Sequence, residues 1–313
     1  MRLQLDIRCS KHSIPRALVS SGNLSYKIRL ASQRVSTRLQ PFLRWAGGKR
    51  RLVNRLLSHL PEDYLRRRYI EPFIGAGSVY FALQPETAVI SDANGHLMSC
   101  YEHVRAAPEH VYACLMEHVE RNSDHHYYST RQAYNNDGPS AERAARFIYL
   151  NNTCFNGIFR VNTRGQFNVP YGWKASPVFP TLEQLKLASS VMRKAEIKTA
   201  TFEDSVAIAE PNDFFYLDPP YPPLNGTAYF THYTADRFGE QDQRRLAESV
   251  KEVDRRSAMF LMTNADTPLI RELYSDYSIT GISVTRFITC KAHKHRVDEV
   301  VITNYPTNAR VTT

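Results

Sequence analysis

Asp218-Pro219-Pro220-Tyr221 closes an apolar run, Phe214 to Leu217. From average residue usage, this tetrapeptide arises by chance in a chain of this length roughly once in a thousand. A bland proline turn would leave unexplained why a carboxylate stands where a strand ends. One chemistry uses all four residues. The exocyclic amine of a nucleobase is a poor nucleophile because its lone pair is delocalised into the ring. Two acceptors at set positions, the Asp218 carboxylate and the Pro219 carbonyl, can bind both amine hydrogens and favour a pyramidal nitrogen with its lone pair free. The prolines Pro219 and Pro220 keep the acceptors from reorganising. The Tyr221 ring offers a face on which the base can stack.

Such an amine needs an electrophile beside it. Phe73-Ile74-Gly75-Ala76-Gly77 opens a helix, and its glycines let backbone amides approach a ligand closely. Tyr80 stands where a dinucleotide fingerprint has its third glycine. Asp92, one strand later, can accept hydrogen bonds from ribose hydroxyls. Arg44-Trp45-Ala46-Gly47-Gly48-Lys49 is not a P-loop: Leu43 stands where that motif has glycine, and Arg50 where it has Ser/Thr. It leaves a small turn with an indole face and a cation, suited to a ligand with an aromatic ring and a carboxylate. S-adenosylmethionine fits these features, with its ribose at Asp92, its α-carboxylate at Lys49 and its sulfonium methyl facing Asp218. The reaction this predicts is methylation of a base amine, and a duplex base must leave the stack to reach the pocket.

The elements that position these residues follow from periodicity. A helix is expected from Lys49 to Leu60, a strand over Tyr69–Phe73, a helix from Ser78, a strand over Ala88–Asp92 and a helix over Asn94–Arg105. Strand, glycine loop, helix, strand and acid are the grammar of a nucleotide-type pocket. The rhythm breaks between about 106 and 190. There, helical stretches (Pro108–Arg121, Ala141–Asn151) precede the polar run NNTCFNGIFRVNTRGQFNVPYGW. It resumes near Ile197, with strands at Phe214–Asp218 and Ala258–Asn264, a helix at Gln241–Arg256, and two strands at 279–289 and 297–304. The expected fold is a doubly wound α/β domain (41–105 and 191–306) carrying a mainly helical insertion (106–190), with a short tail (307–313). In such sheets ligands sit beyond the carboxyl ends of the strands. That rule gathers Gly75, Gly77, Asp92 and Asp218 around one crevice.

Composition bounds the partners. Forty Lys/Arg against thirty-one Asp/Glu give a net charge of +9, which favours a polyanion. No apolar run reaches the ~18 residues of a membrane span. The five cysteines are scattered without a CxxC pair, so a disulfide framework is not expected and a reducing cytoplasm is the default compartment. No metal site is expected: neither His125–His126 nor His293/His295 has an acid or cysteine at ligand spacing. Residues 1–40 carry eight Lys/Arg against one acid, Asp6. That composition suits a transit peptide, a disordered basic arm or an over-extended start, and no function is assigned to it.

RWAGGK, EPFIGAGS, the strand-end Asp92, FNGIFRVNTRGQFNVPYG and DPPY stand in the order found in the Dam-type DNA adenine methyltransferases of the D12 class. From about Phe42 to Tyr305 the chain resembles that family, in its α-group arrangement. The resemblance implies S-adenosylmethionine as donor, duplex DNA as partner, adenine in GATC as target, and a monomer. It implies Asp218, Pro219, Pro220 and Tyr221 as the catalytic motif. For the cofactor it implies Trp45, Lys49, Asp92 and Asp218, with Phe73, Gly75 and Gly77 in the loop. The insertion is similar to a target-recognition domain. There Phe155 matches an aromatic that enters the duplex, and Asn156, Ile158 and Arg160 match residues touching base edges, with Pro170 and Lys174 further along the same DNA face. Side-chain chemistry agrees: arginine can grip guanine with two bonds, asparagine can read a base edge, and an apolar side chain can meet a thymine methyl. Two departures stand out. Phe155 replaces a frequent tyrosine, and Trp173 precedes Lys174 where a basic residue often follows FNVPYG. The loop with Lys291, His293, Lys294, His295 and Arg296 is suited to phosphate contact. The alternatives are an RNA adenine methyltransferase and a DNA-binding protein with a degenerate pocket.

Overall fold

A computed structural model describes residues 39–174, 176–222, 238–287 and 294–307, with backbone alone for 283–287 and 294–298. All but the last two residues of the basic arm lie outside these, as do Cys9, Cys290, Lys291 and His293; the side chains of Lys294, His295 and Arg296 are likewise not described. The described residues form one compact unit.

Its centre is a seven-stranded sheet in the order β3-β2-β1-β4-β5-β7-β6. The strands are β1 (Tyr69–Glu71), β2 (Ala88–Asp92), β3 (Ala195–Thr199), β4 (Phe214–Leu217), β5 (Met259–Ala265), β6 (Ser278–Phe287) and β7 (Lys294–Thr303). β1 pairs in parallel with β2 and β4, β2 with β3, and β4 with β5, whereas β7 runs antiparallel to β5 and β6. The strand order reverses between β1 and β4, so two neighbouring carboxyl ends open into one crevice. The glycine loop leaves β1 there and DPPY leaves β4.

Central parallel strands are covered on both faces, and β4 (Phe-Phe-Tyr-Leu) is accordingly apolar throughout, with no residue more than 2% exposed. Alternation sorts its side chains onto two cores. Phe214 and Tyr216 join Tyr69, Ile90, Leu261 and Val301 on one face. Phe215 and Leu217 join Ile70, Val89, Met262 and Ile302 on the other. The second core is closed by the helix Glu240–Arg255, whose inner stripe is Gln243, Leu246, Ala247, Val250 and Val253. The first core runs without a break into the insertion, through Tyr127, Tyr134, Phe147, Tyr149 and Phe159.

Two local expectations change. The helix expected from Lys49 to Leu60 is reduced to one α turn, Val53–Leu56, followed by a 3-10 turn, Leu57–His59. Ser58 Oγ donates to the Arg55 carbonyl and offers the chain an alternative to the helical ladder. The insertion also gains the helices Asp124–Asn136 and Leu182–Met192, capped by Ser123 and Thr181. The first buries Tyr127, Thr130 and Tyr134, so its period is carried by hydroxyl-bearing residues that hydropathy scores as polar.

Candidate active site

The glycine loop is held from both sides. Gly75 and Gly77 have φ of +46° and +70°, and a Cβ on Gly75 would stand 2.8 Å from Trp45 Cδ1. The backbone therefore passes directly under the indole, as only glycine allows. Asp92 Oδ2 accepts from Gly75 N at 3.1 Å, and Oδ1 accepts from Asn94 N at 2.9 Å. Tyr101 donates to the Gly75 carbonyl at 2.6 Å. Burial pushes the Asp92 carboxyl up to about 6, against the pull of those two amides. Asp92 was expected to serve ribose hydroxyls. It also builds the loop, with one lone pair left on each oxygen. Beside it the buried Asn94 Nδ2 has no hydrogen-bond partner. This unspent donor, the two carboxylate lone pairs and the glycine cradle suit a hydroxylated, ring-bearing ligand. Phe73 stacks on Phe202 at 5.6 Å and meets Phe238 edge-on, forming an apolar wall.

Asp218 stands past the end of β4. Lys49 Nζ lies 2.7 Å from Asp218 Oδ1 and also donates to the Gly47 carbonyl at 3.0 Å. Thr263 Oγ1 donates to the same Asp218 oxygen at 2.8 Å. The Lys49 ammonium hangs 4.6 Å from the centroid of the Tyr221 ring. A cation thus occupies both the acceptor and the aromatic face that a base amine would use. Burial raises the Asp218 carboxyl above its ordinary range, and Lys49 and Thr263 oppose that rise. Glu71, at the end of β1, is raised much further by burial, with nearby Asp218 adding to it; its Tyr69 hydrogen bond opposes the shift. Burial thus disfavours the charged form of Glu71, and it is Asp218 whose carboxylate has the facing cation, Lys49. The Arg44–Lys49 turn binds the two halves together, with Trp45 over the glycine loop and Lys49 on the DPPY carboxylate.

Several side chains that support the clamp were not singled out from sequence: Thr263, Tyr101, Gln243 and Glu299. Gln243 Nε2 donates to the Pro220 carbonyl at 2.9 Å, and Tyr221 donates to Glu299 Oε2 at 2.9 Å. The separate strands and helix that carry them lack a local signature.

The NNTCFNGIFR stretch ends the helix Ala141–Thr153 and turns into a hairpin bridged at Cys154–Tyr171 and Val161–Phe167. Phe155 is 50% exposed, and its N–H bonds the Pro170 carbonyl. Asn156 and Arg160 are exposed, as is Pro170, while Ile158 is half-buried. Asn156 takes a left-handed conformation, φ +55°. Arg160 is braced: its Nε donates to Asn168 Oδ1 at 2.8 Å. Lys174 departs from the expected open DNA face. Its ammonium turns inward onto the Asn152 carbonyl at 2.5 Å, and Trp173, 73% exposed, takes the outward position. The hairpin meets the Arg44–Lys49 turn directly. Phe159 stacks on Trp45 at 5.7 Å, and Asn151 accepts from Arg44 N while donating to the Arg44 carbonyl.

Among the described residues, His110, Cys114 and Glu142 bring one ligand atom each within 4.8 Å of one another, and a 3.0 Å His110–Glu142 contact on the surface draws them together. No helix among the described residues is long and apolar enough to cross a membrane.

A family model described as D12 class N6 adenine-specific DNA methyltransferase matches residues 45–288. Relatives include the type II methyltransferase M1.LlaDCHI of Lactococcus lactis subsp. cremoris, 37% identical over 281 residues, covering 87% of this chain and 98% of the relative. The type II methyltransferase M.MjaIII of Methanocaldococcus jannaschii is 35% identical over 287 residues, covering 85% and 99%. The DNA adenine methylase of Escherichia coli K12 is 36% identical over 263 residues, covering 83% and 93%.

Proposed function

The chain belongs to the D12 class of N6 adenine-specific DNA methyltransferases, and on that premise we propose that it methylates adenine within duplex GATC from S-adenosylmethionine. The observation that carries this reading is the Asp218 carboxylate at the end of β4, already paired at 2.7 Å with an N–H donor, beside a glycine loop built to receive a ligand. S-adenosylmethionine supplies a sulfonium methyl as electrophile. Trp45, Phe73 and the Gly75–Gly77 loop offer it surfaces, and Asp92 and Asn94 offer hydrogen bonds to its hydroxyls. Lys49 serves its carboxylate once it leaves Asp218.

The target amine takes the place of the Lys49 ammonium. Its hydrogens go to the Asp218 carboxylate and the Pro219 carbonyl, and Tyr221 stacks on the flipped ring. These acceptors are present before the reaction, so little reorganisation accompanies attack. Methylation leaves the amine acidic, and it gives up its proton afterwards without a strong base. Phe155 fills the space the base vacates. Asn156, Ile158 and Arg160 read the neighbouring base edges, and Arg160 is pre-oriented by Asn168 for a two-bond contact with guanine. Adenine as target is supported by the DNA adenine methylase relatives, and GATC by the resemblance of the recognition residues.

The test uses unmethylated plasmid incubated with enzyme and S-adenosylmethionine, then cut with endonucleases that cleave GATC only when methylated or only when bare. Acquired cleavage by the first and protection from the second are expected. Methyl incorporation into DNA without either change would refute GATC as the target.

A further inference from the structure

We propose that Gln243 and Glu299 are positioning residues: two buried polar side chains that hold the second proline and the tyrosine of the catalytic tetrapeptide in register. The proposal rests on the methyl-transfer reading of the site. It assigns the clamp's stiffness to side chains from elsewhere in the fold as well as to its own prolines.

Gln243 is fully buried on the helix Glu240–Arg255, in a stripe otherwise made of Leu246, Ala247, Val250 and Val253. Leucine would fill that place without the cost of burying an amide. This amide is bonded at both ends. Its Nε2 donates to the Pro220 carbonyl at 2.9 Å, and its Oε1 accepts from the fully buried Asn264 Nδ2 at 3.1 Å. Asn264 Oδ1 accepts in turn from Ala265 N at 2.8 Å. A chain of hydrogen bonds thus runs from the β5 backbone to the peptide that follows Pro220. That chain sets the rotation of the Pro220 carbonyl, which proline's fixed φ leaves open about ψ, while the Pro219 carbonyl is held by the proline that follows it.

Glu299 is also fully buried, on β7 opposite Ala265 and Ile282. A buried glutamate is rare unless paired, and this one accepts the Tyr221 hydroxyl at 2.9 Å. Tethering the phenol oxygen fixes the tilt of the ring on which the base is to stack. The two tethers come from separate elements, one from the helix after β4 and one from the last strand. Neither reaches the reacting atoms. A misplacement of about 1 Å in such a constellation can cost on the order of a hundredfold in rate.

The experiment is steady-state and single-turnover methyl transfer by Glu299→Leu, Glu299→Gln, Gln243→Met, Tyr221→Phe and the Tyr221→Phe/Glu299→Leu double variant. Glu299→Leu and Gln243→Met are expected to lose about 10–100-fold in kcat, with KM for duplex and for S-adenosylmethionine within about twofold of the parent. Glu299→Gln keeps an acceptor and is expected to retain most of the rate. Glu299→Leu added to Tyr221→Phe is expected to cost little more, because the tether is already gone. The proposal is overturned if Tyr221→Phe turns over like the parent, if Glu299→Gln falls as far as Glu299→Leu, or if the losses lie in KM. Tyr221→Phe and Glu299→Gln are near-isosteric, so they decide the matter even where leucine prevents folding. Failure of the methyl-transfer reading looks different: the parent enzyme itself would leave adenine unmodified.

Discussion

Replacing Lys49 by methionine keeps the side chain's length and removes its charge. Lys49 is 4% exposed and Asp218 is 17% exposed, so water cannot replace the lost partner fully. Breaking a buried ion pair costs roughly 3–5 kcal/mol. Thr263 stays bonded to Asp218 and some solvent reaches it, which brings the expected loss to about 2–4 kcal/mol near pH 8. The sign of the pH dependence follows from the carboxyl. Burial already raises Asp218, and removing Lys49 removes the main opposing influence. A carboxyl whose folded pKa lies above its unfolded value costs nothing at low pH; the penalty grows as pH rises from the unfolded to the folded pKa and is full above it, so a variant with the higher folded pKa falls behind the parent as pH rises. Urea unfolding of ligand-free Lys49→Met and parent is therefore expected to show a stability gap that is smallest at acid pH and widens toward pH 8. A stability gap that does not change with pH would refute the assignment of Lys49 as counter-ion to Asp218.

Asp218→Ala should bind duplex normally in a gel-shift assay yet lose more than ~100-fold in transfer rate, the scale of removing one preorganised polar group. Asp92 titrates at about 6, so affinity for S-adenosylmethionine measured by calorimetry should hold from pH 8 to 7. Below pH 6 it should fall by up to about tenfold per unit, and Asp92→Asn should flatten the curve. Gly75→Ala puts a Cβ at positive φ and 2.8 Å from Trp45. It should cost about 1–3 kcal/mol of stability by denaturant titration and weaken donor binding. Arg160→Ala should relax discrimination between GATC and sites altered at one guanine by about 1–3 kcal/mol in competition assays. Asn168→Ala, which frees the guanidinium, should give part of the same effect.

The readable parts of this protein were those whose meaning is local. The glycine loop, the strand-end Asp92 and DPPY are contiguous words, and each sits where the strand grammar puts it. β4 was legible because a strand buried on both faces needs an unbroken apolar run. The helix Asp124–Asn136 was not, since its inner face is Tyr127, Thr130 and Tyr134 and makes no hydropathy wave. The supports of the clamp were illegible for a different reason. Asn264 meets Gln243 across 21 residues and Tyr221 meets Glu299 across 78, and only the strand order brings them together. Lys49 could be placed in the site by its motif, but its pairing with Asp218 depends on how the Arg44–Lys49 turn crosses from β1 to β4. The inward turn of Lys174 follows from the Asn152 carbonyl that awaits it, a partner that spacing alone does not reveal.

The indole of Trp45 has the hairpin's Phe159 stacked against it and the bare backbone of Gly75 beneath it. Under the proposed function, one ring therefore lies between the hairpin that would read sequence and the loop that would hold the reagent. Free-energy coupling across such a ring is symmetric. To whatever degree a bound reagent tightens the grip on the nucleic acid, the nucleic acid tightens the grip on the reagent by the same factor, so order of arrival alters the route to the ternary complex and leaves its stability unchanged.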